Sequence, residues 1–174
     1  MEPRSALPSW VLRLDGADAR ALAWVVEHVQ APLARAARVV THTADTQVIV
    51  MVLAVALCVS PGRAGVVLAA ATLLASGLFS AVKRVCRRAR PRVRALLPAP
   101  DCFSMPSGHT TCAFALAVAL SVQQPAVAPV ACAWATAVAL SRVVLGVHYP
   151  FDVLAGALLG TAAAALALGA GALL

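Results

Sequence analysis

The residues best suited to chemistry fall into three clusters separated by apolar sequence. In one of them, Ser141 and Arg142 precede His148, and Asp152 follows that histidine by four residues. This spacing brings a carboxylate close enough to orient an imidazole and to stabilise its charged form. A structural His–Asp pair at the start of a helix would have the same spacing. Arg142 lies in an otherwise apolar run, where an unpaired cation is costly, so we expect an anion as its partner.

A second cluster, Pro106-Ser107-Gly108-His109, stands where a polar segment becomes an apolar helix. Free backbone N–H groups and the helix dipole make such a position an anion site, and glycine allows the anion to approach closely. Ser107 can add a hydroxyl donor, and His109 can exchange protons near neutral pH. The alternative is that Ser107 caps the helix and that the histidine is incidental.

The remaining cluster is a basic run from Lys83 to Arg94. Lys83 and Arg90 are seven residues apart, or two helical turns, so we expect them to share a helical face until Pro91 disfavours further helix. Together they can bind one anion, although a basic patch that contacts lipid headgroups would have the same sequence pattern. The other arginines are candidates for contacts with anionic lipid or a diphosphate, or for solvation: Arg84, Arg87, Arg88, Arg92 and Arg94.

Metal binding is a different chemistry open to some of these side chains. The possible ligands are His109, His148 and Asp152. The cations expected beside them would repel a metal ion and suit a phosphate instead: Lys83, Arg90 and Arg142. The sequence therefore predicts a phosphate site with no metal and no cofactor.

Composition favours a membrane protein. The chain has 174 residues, enough for one domain, and is 61% hydrophobic with only 12% charged residues. Beyond Gln47 the only acidic residues are Asp101 and Asp152, and such uncharged stretches indicate membrane spans. The net charge of +7 does not indicate nucleic-acid binding, because half of the basic residues lie between positions 83 and 94.

The apolar runs predict five hydrophobic helices bounded by Pro, Gly or charge. They cover approximately residues 46–60, 64–83, 107–124, 126–146 and 152 to the C-terminus. Residues 18–40 have helical spacing with more charge and are expected to form a partly inserted sixth helix. The predicted fold is thus an all-α, polytopic transmembrane bundle of five to six helices, with an N-terminal segment 1–45 and a catalytic bundle 46–174.

Helix order brings the clusters together. Because antiparallel crossings return the chain to the same side at every second helix, all three clusters are expected at one membrane face. Gly156-x-x-x-Gly160 in the last helix predicts close packing against a neighbouring helix.

Taken together, the three clusters resemble the motifs of the type 2 phosphatidic acid phosphatase superfamily. These lipid phosphate phosphatases are related in fold to the vanadium-dependent haloperoxidases. The matching motifs are Lys83-x6-Arg90-Pro91, Pro106-Ser107-Gly108-His109 and Ser141-Arg142-x5-His148-x3-Asp152. The first 45 residues contribute nothing to this resemblance.

The resemblance implies a role for each matching residue. His148 would attack phosphorus, Asp152 would hold its ring, and His109 would protonate the departing oxygen and later activate water. The phosphate-binding groups would be Lys83, Arg90, Ser107, the Gly108 amide and Arg142.

The resemblance also implies a substrate class and a location. A polyprenyl-linked phosphate or diphosphate is favoured, with phosphatidic acid, phosphatidylglycerophosphate or lipid A as alternatives. A non-catalytic anion-binding membrane protein or transporter is the alternative of another class. The expected partners are the lipid phosphate and membrane lipids, without nucleic acid. The expected location is the bacterial inner membrane with the site facing the periplasm, although the positive-inside rule applied to the arginine excess predicts the cytoplasm.

Overall fold

The computed structural model describes residues 9–59, 62–98 and 101–172, and for residues 9–14 only the backbone. The described chain is helical, and the expected all-α fold is confirmed. Its α-helices are α1 (Ser9–His28), α2 (Ala31–His42), α3 (Thr46–Val59), α4 (Arg63–Cys86), α5 (Gly108–Gln123), α6 (Ala128–Val144) and α7 (Pro150–Gly171). A short 3-10 turn, Pro125–Val127, precedes α6. Among these residues, extended pairing is limited to the isolated bridge between Ala89 and Phe103.

The helices α3 to α7 correspond to the five hydrophobic helices that the sequence predicts. The N-terminal prediction was wrong in one respect, because the expected single helix over 18–40 is two helices, α1 and α2. They separate between His28 and Ala31, and Pro32 lies in the first turn of α2. A proline is favoured in a first turn but disrupts a helix interior, because it has no N–H to donate.

Length and composition identify the helices that can cross a bilayer. Three qualify within the described residues: α4, α7, and α6 taken together with its preceding turn. The helices α2 and α3 pass the same test as a pair bent by 47°, whereas α5 is apolar but has only 16 residues. With three such spans, or four if the bent pair is one span, the protein is integral to the membrane.

The closest helix contact joins α5 to α7 and confirms the small-residue prediction. A Cβ atom placed on Gly156 would lie 2.8 Å from the carbonyl oxygen of Ser107. A Cβ on Gly160 would overlap the carbonyl oxygen of Thr111. The two backbones therefore touch, which is possible only because these positions carry no side chain. This contact holds the start of α7 against the start of α5.

A non-helical segment follows α4 and packs over the ends of the helices. Helix α4 stops at Cys86 because Arg87 adopts the left-handed conformation, with φ of 43°. The segment is held by a hydrogen bond from Leu96 N to Leu145 O (2.9 Å) and by one from Arg38 Nη2 to Leu96 O (2.9 Å). The prediction that Lys83 and Arg90 share a helical face was therefore wrong. Arg90 lies in this segment, and tertiary folding brings it back towards Lys83.

Candidate active site

The three sequence clusters meet at one end of the bundle. Ser107 N donates to the carbonyl oxygen of Asp152 at 3.0 Å, which joins the second cluster to the third. Arg90 Nη1 donates to Val147 O at 2.7 Å, which joins the first cluster to the third. His109 and His148 consequently lie at the same end of the bundle, as the predicted convergence requires.

His148 is almost fully buried, with 2% of its surface exposed. Its Nε2 lies 3.1 Å from Arg90 Nη1. A guanidinium can only donate, so Nε2 accepts this hydrogen bond and the ring proton belongs on Nδ1. Burial, reinforced by the charges of Arg90 and Arg142, lowers the pKa of His148 from 6.5 to about 4. The imidazole is therefore neutral at pH 7, with the lone pair of Nε2 on the side of Arg90.

Asp152 is fully buried at the start of α7 and serves two groups at once. Its Oδ2 accepts the backbone N–H of Tyr149 at 2.9 Å and lies 3.6 Å from His148 Nδ1. That second distance is too long for a hydrogen bond, and Nδ1 has no partner among the described residues. Catalytic hydrogen bonds are often long before substrate binds, so a small ring movement would complete this one. The carboxylate thus caps the helix and also faces the histidine.

Arg88 connects Asp152 to the N-terminal helix. Its Nη1 donates to Asp152 Oδ1 (2.7 Å), and its Nη2 donates to Asp18 (2.7 Å) and Asp15 (2.8 Å). The guanidinium also lies 4.1 Å from the ring centre of Tyr149. Burial opposes the charge of Arg88, but these carboxylates outweigh burial and raise its pKa. The expectation that Arg88 contacts lipid, a diphosphate or solvent was therefore wrong, because it is part of an internal ion-pair network.

Lys83 and Arg90 converge on one carboxylate, that of Asp101. Lys83 Nζ donates to Oδ2 and Arg90 Nη2 donates to Oδ1, each at 2.8 Å. Burial disfavours the charged form of Asp101, but the hydrogen bonds from these two cations outweigh it and lower the pKa. In this structure the two cations bind the carboxylate of a side chain, and their binding of phosphate stays a prediction.

Arg142 is buried near the end of α6, with 3% of its surface exposed. Its Nη1 donates to Thr41 Oγ1 at 2.6 Å, and its buried Nε has no partner in the described part of the chain. The positive charge of Arg142 acts on both His109 and His148. A buried guanidinium N–H without an acceptor is costly, so this geometry suits an anion bound beside Arg142.

Ser107 precedes α5 but does not cap it with its side chain. Its Oγ accepts from Thr110 Oγ1 at 3.0 Å, which leaves the hydrogen of the Ser107 hydroxyl available to donate. Its backbone N–H is already bonded to Asp152, so the expectation of free amides at this helix start does not hold for Ser107. At Gly108 a Cβ atom would lie 3.1 Å from the ring of Phe79, so glycine also serves packing there.

His109 is paired with a carboxylate that the sequence analysis overlooked. Its Nε2 lies 2.9 Å from Asp45 Oδ1, and Asp45 stands in the bend between α2 and α3. The other oxygen of the same carboxylate lies 2.8 Å from His42 Nδ1. Each histidine of the site therefore has its own aspartate.

The overlooked residues share one feature that could have identified them. The chain has only five aspartates, and all of them form ion pairs at this end of the bundle: Asp15, Asp18, Asp45, Asp101 and Asp152. Acidic side chains are costly beside apolar helices unless paired. Their scarcity in this sequence was therefore a signal that each one has a partner, although it could not say which.

Comparison with known proteins agrees with this geometry. The family model of the PAP2 superfamily matches residues 64–171. Over 97 residues the chain is 38% identical to decaprenylphosphoryl-5-phosphoribose phosphatase of Mycolicibacterium smegmatis, covering 54% of this chain and 53% of that protein. The Mycobacterium tuberculosis protein of the same name is 35% identical over 107 residues, covering 60% of this chain and 59% of its own length. The chain thus spans little more than half the length of these curated relatives.

Solved structures show the same fold. The chain superposes with a TM-score of 0.77 and 27% identity on a transmembrane PAP2 type phosphatidylglycerolphosphate phosphatase from Bacillus subtilis, covering 90% of this chain and 85% of that one. It superposes with a TM-score of 0.78 and 23% identity on Aquifex aeolicus LpxE, covering 86% of this chain and 93% of that one. With the three motifs assembled at one end of the bundle and residues 64–171 matching the family model, the chain belongs to the PAP2 superfamily.

Proposed function

We propose that this protein is a membrane phosphatase that removes phosphate from a lipid phosphomonoester or diphosphate through a phosphohistidine at His148. One observation carries the proposal. The guanidinium of Arg90 contacts Nε2 of His148 at 3.1 Å and the carboxylate of Asp101 at 2.8 Å. An oxyanion that replaces this carboxylate would lie close to Nε2 of a neutral imidazole, and attack on phosphorus requires that proximity.

In the first step, Nε2 of His148 forms a bond to phosphorus while the bond between phosphorus and the lipid oxygen breaks. His109 gives its proton to that oxygen, so a phosphomonoester releases its lipid as a neutral alcohol. The ring of His148 becomes positively charged, and Asp152, facing Nδ1, stabilises that charge.

In the second step, water attacks phosphorus and the bond to Nε2 breaks. The neutral His109 takes a proton from this water and returns to its starting state, so the two steps together consume one water and release phosphate. Negative charge on the phosphoryl oxygens would be stabilised by Lys83, Arg90, Ser107, the Gly108 amide and Arg142.

The test is phosphate release from dodecyl phosphate by the protein purified in detergent. His148→Ala is expected to reduce release to background, while His28→Ala, at an exposed histidine near the end of α1, serves as the matched control. Radiolabelled substrate should give an acid-labile, base-stable phosphoprotein with the control and none with His148→Ala. Phosphate release by His148→Ala at the control rate would contradict the mechanism, and binding without release by the unmodified protein would favour a non-catalytic anion-binding protein.

An apolar groove supports a lipid rather than a soluble phosphate ester. It lies between α4, α7 and the residue that precedes Ser107. Its lining is Val82, Pro106, Ala155, Leu158, Leu159 and Ala162. Val82 adjoins Lys83, and Pro106 adjoins Ser107, so a hydrocarbon chain in this groove would emerge next to a bound phosphate.

For the lipid itself, the proposed substrate is a polyprenyl-linked phosphate or diphosphate. The support is the similarity to two decaprenylphosphoryl-5-phosphoribose phosphatases. Phosphatidylglycerophosphate is the second candidate, because the Bacillus subtilis phosphatase of that name shares the fold over 90% of this chain. We expect kcat/KM to be highest for a polyprenyl phosphate in a panel that also contains phosphatidylglycerophosphate, phosphatidic acid and lipid A. A higher value for phosphatidylglycerophosphate would reverse the assignment.

The active site is proposed to face the periplasm of a bacterial inner membrane. The arginine excess argues for the cytoplasm, but Lys83, Arg88 and Arg90 are paired with aspartates and do not act as free charges. Two exposed cysteines permit a test in single-cysteine variants: Cys102 near the site, and Cys58 near the other end of α3. In intact cells an impermeant thiol reagent should label Cys102 and spare Cys58, and the opposite pattern would indicate a cytoplasmic site.

A further inference from the structure

The carboxylate beside His109 comes from a part of the chain that the family model does not cover. The match to the PAP2 family begins at residue 64, whereas Asp45 lies between α2 and α3. Its Oδ1 is 2.9 Å from Nε2 of His109, across 64 positions of sequence. The histidine is only partly buried, with 23% of its side chain exposed, and so is the aspartate, at 34%.

The bend that carries Asp45 is anchored to α6 through two threonines that precede Asp45 in the chain. Trp134 Nε1, on α6, donates to Thr43 Oγ1 at 2.8 Å. Arg142, also on α6, donates to Thr41 Oγ1 at 2.6 Å. The bend is tied internally as well, because Ala44 N donates to Thr41 O at 3.1 Å. These contacts hold the backbone next to Asp45 against the same helix that supplies a phosphate-binding arginine.

We propose that Asp45 is a positioning residue that holds His109 in the orientation and protonation state of a general acid. The inference rests on the proposed function, because it assigns a partner to the acid of that mechanism. The groups facing this pair are His42 on α2 and Arg142 on α6, both of which are cationic when protonated. Burial and the charge of Arg142 lower the pKa of His109, and the Asp45 carboxylate opposes that shift, so it favours the protonated form that a general acid needs.

A general acid matters in proportion to how poorly the leaving oxygen carries negative charge. An alkanol leaves as a strongly basic oxyanion unless it is protonated, whereas 4-nitrophenolate is a stable anion. Loss of the acid should slow cleavage of an alkyl phosphate much more than cleavage of 4-nitrophenyl phosphate. A residue that merely supports the fold would affect both substrates equally.

The experiment compares kcat/KM for dodecyl phosphate and for 4-nitrophenyl phosphate in Asp45→Asn. This ratio reports the steps up to the first irreversible one, so slow hydrolysis of the phosphohistidine does not mask the effect. We expect kcat/KM to fall about 10- to 100-fold for the alkyl ester and less than about threefold for the aryl ester. The loss for the alkyl ester is smaller than the full contribution of a general acid, because His109 itself is still present. Asp45→Glu should recover much of the lost activity on dodecyl phosphate.

Three further variants make the result decisive. His109→Ala should show the same selectivity between the substrates, with a larger loss on the alkyl ester. Glu27→Gln, the same acid-to-amide change at an exposed residue of α1, should leave both activities unchanged. Equal loss on both substrates in Asp45→Asn, or no loss on either, would overturn the proposal. If His148→Ala retained full activity, the proposed function would fail instead, and the two failures are thereby distinguishable.

Discussion

The two histidine–aspartate pairs of the site have contrasting surroundings. His148 and Asp152 are buried, with side-chain exposures of 2% and 0%, whereas the corresponding values for His109 and Asp45 are 23% and 34%. Asp152 is also held by Arg88 and by the N–H of Tyr149. Within the described part of the chain, the second oxygen of Asp45 is bonded only to His42, whose side chain is 60% exposed.

This contrast agrees with the two proposed roles. A nucleophile that becomes covalently attached to phosphorus must keep one position through both steps, and a buried carboxylate fixed by Arg88 and the N–H of Tyr149 provides that rigidity. An acid that exchanges protons with an alcohol and with water benefits from access to solvent. Water can partly replace a carboxylate in the exposed pair but not in the buried one, so substitutions should differ in severity.

The largest effect is expected for Asp152→Asn. The variant retains the shape of the side chain but removes the charge that would stabilise the phosphorylated His148, and it leaves Arg88 without one of its partners. We expect kcat/KM to fall about 10⁴-fold, the size of the loss in kcat for the equivalent change in a serine protease triad. The loss should be similar for alkyl and aryl phosphates, unlike that of Asp45→Asn. If kcat/KM fell less in Asp152→Asn than in Asp45→Asn, the buried pair would not be the more sensitive of the two.

Removing the support behind the buried pair should reduce stability. Arg88→Gln would leave Asp18 and Asp152, both almost fully buried, without their cation. Breaking a buried ion pair in this way costs about 3–5 kcal/mol, so thermal unfolding in detergent should begin at a clearly lower temperature. Arg87→Gln is the control, because that exposed side chain bonds only to the carbonyl oxygen of Arg84 among the described residues. Equal unfolding temperatures for the two variants would show that the network is dispensable.

The titration of His148 tests the buried environment directly. Its pKa of about 4 lies below the ordinary 6.5, so the unfolded chain binds a proton there that the native protein does not. The free energy of unfolding should therefore fall as pH decreases from 6.5 towards 4. Labelled-histidine NMR in micelles should give a midpoint near 4 for His148, and Arg90→Gln should raise it by removing a nearby cation. A midpoint near 6.5 would contradict a pKa lowered by burial and by the neighbouring cations.

The smallest effect is expected at Asp101, a carboxylate that competes with the substrate instead of assisting a histidine. Asp101→Asn would free Lys83 and Arg90 from a partly exposed ion pair, which is worth about 0.2–1 kcal/mol. The inhibition constant for inorganic phosphate should therefore decrease by up to about fivefold, which is the change in an equilibrium constant that corresponds to about 1 kcal/mol. Weaker inhibition would mean that Asp101 helps to organise the phosphate site.

Much of this molecule could be predicted from local patterns. Apolar runs between Pro, Gly and charged residues identify the helices α3 to α7, because these residue types interrupt an apolar helix. The motif of His148 and Asp152 has a fixed short spacing, so its geometry is largely determined by the start of one helix. The roles assigned to these residues remain predictions that the variants above would test.

Other features depended on contacts between distant parts of the chain. Nothing near Asp45 in sequence indicates that it faces His109, 64 positions away, or that Thr41 receives a hydrogen bond from Arg142. Likewise, the left-handed residue that ends α4 moves Arg90 off the helix, and only the folded loop returns it to Lys83. Charge scarcity and helix periodicity indicate that partners must exist, because unpaired charges are costly near a bilayer. The choice of partner is a property of the packed bundle, because only the folded chain brings the five aspartates and their partners together at one end.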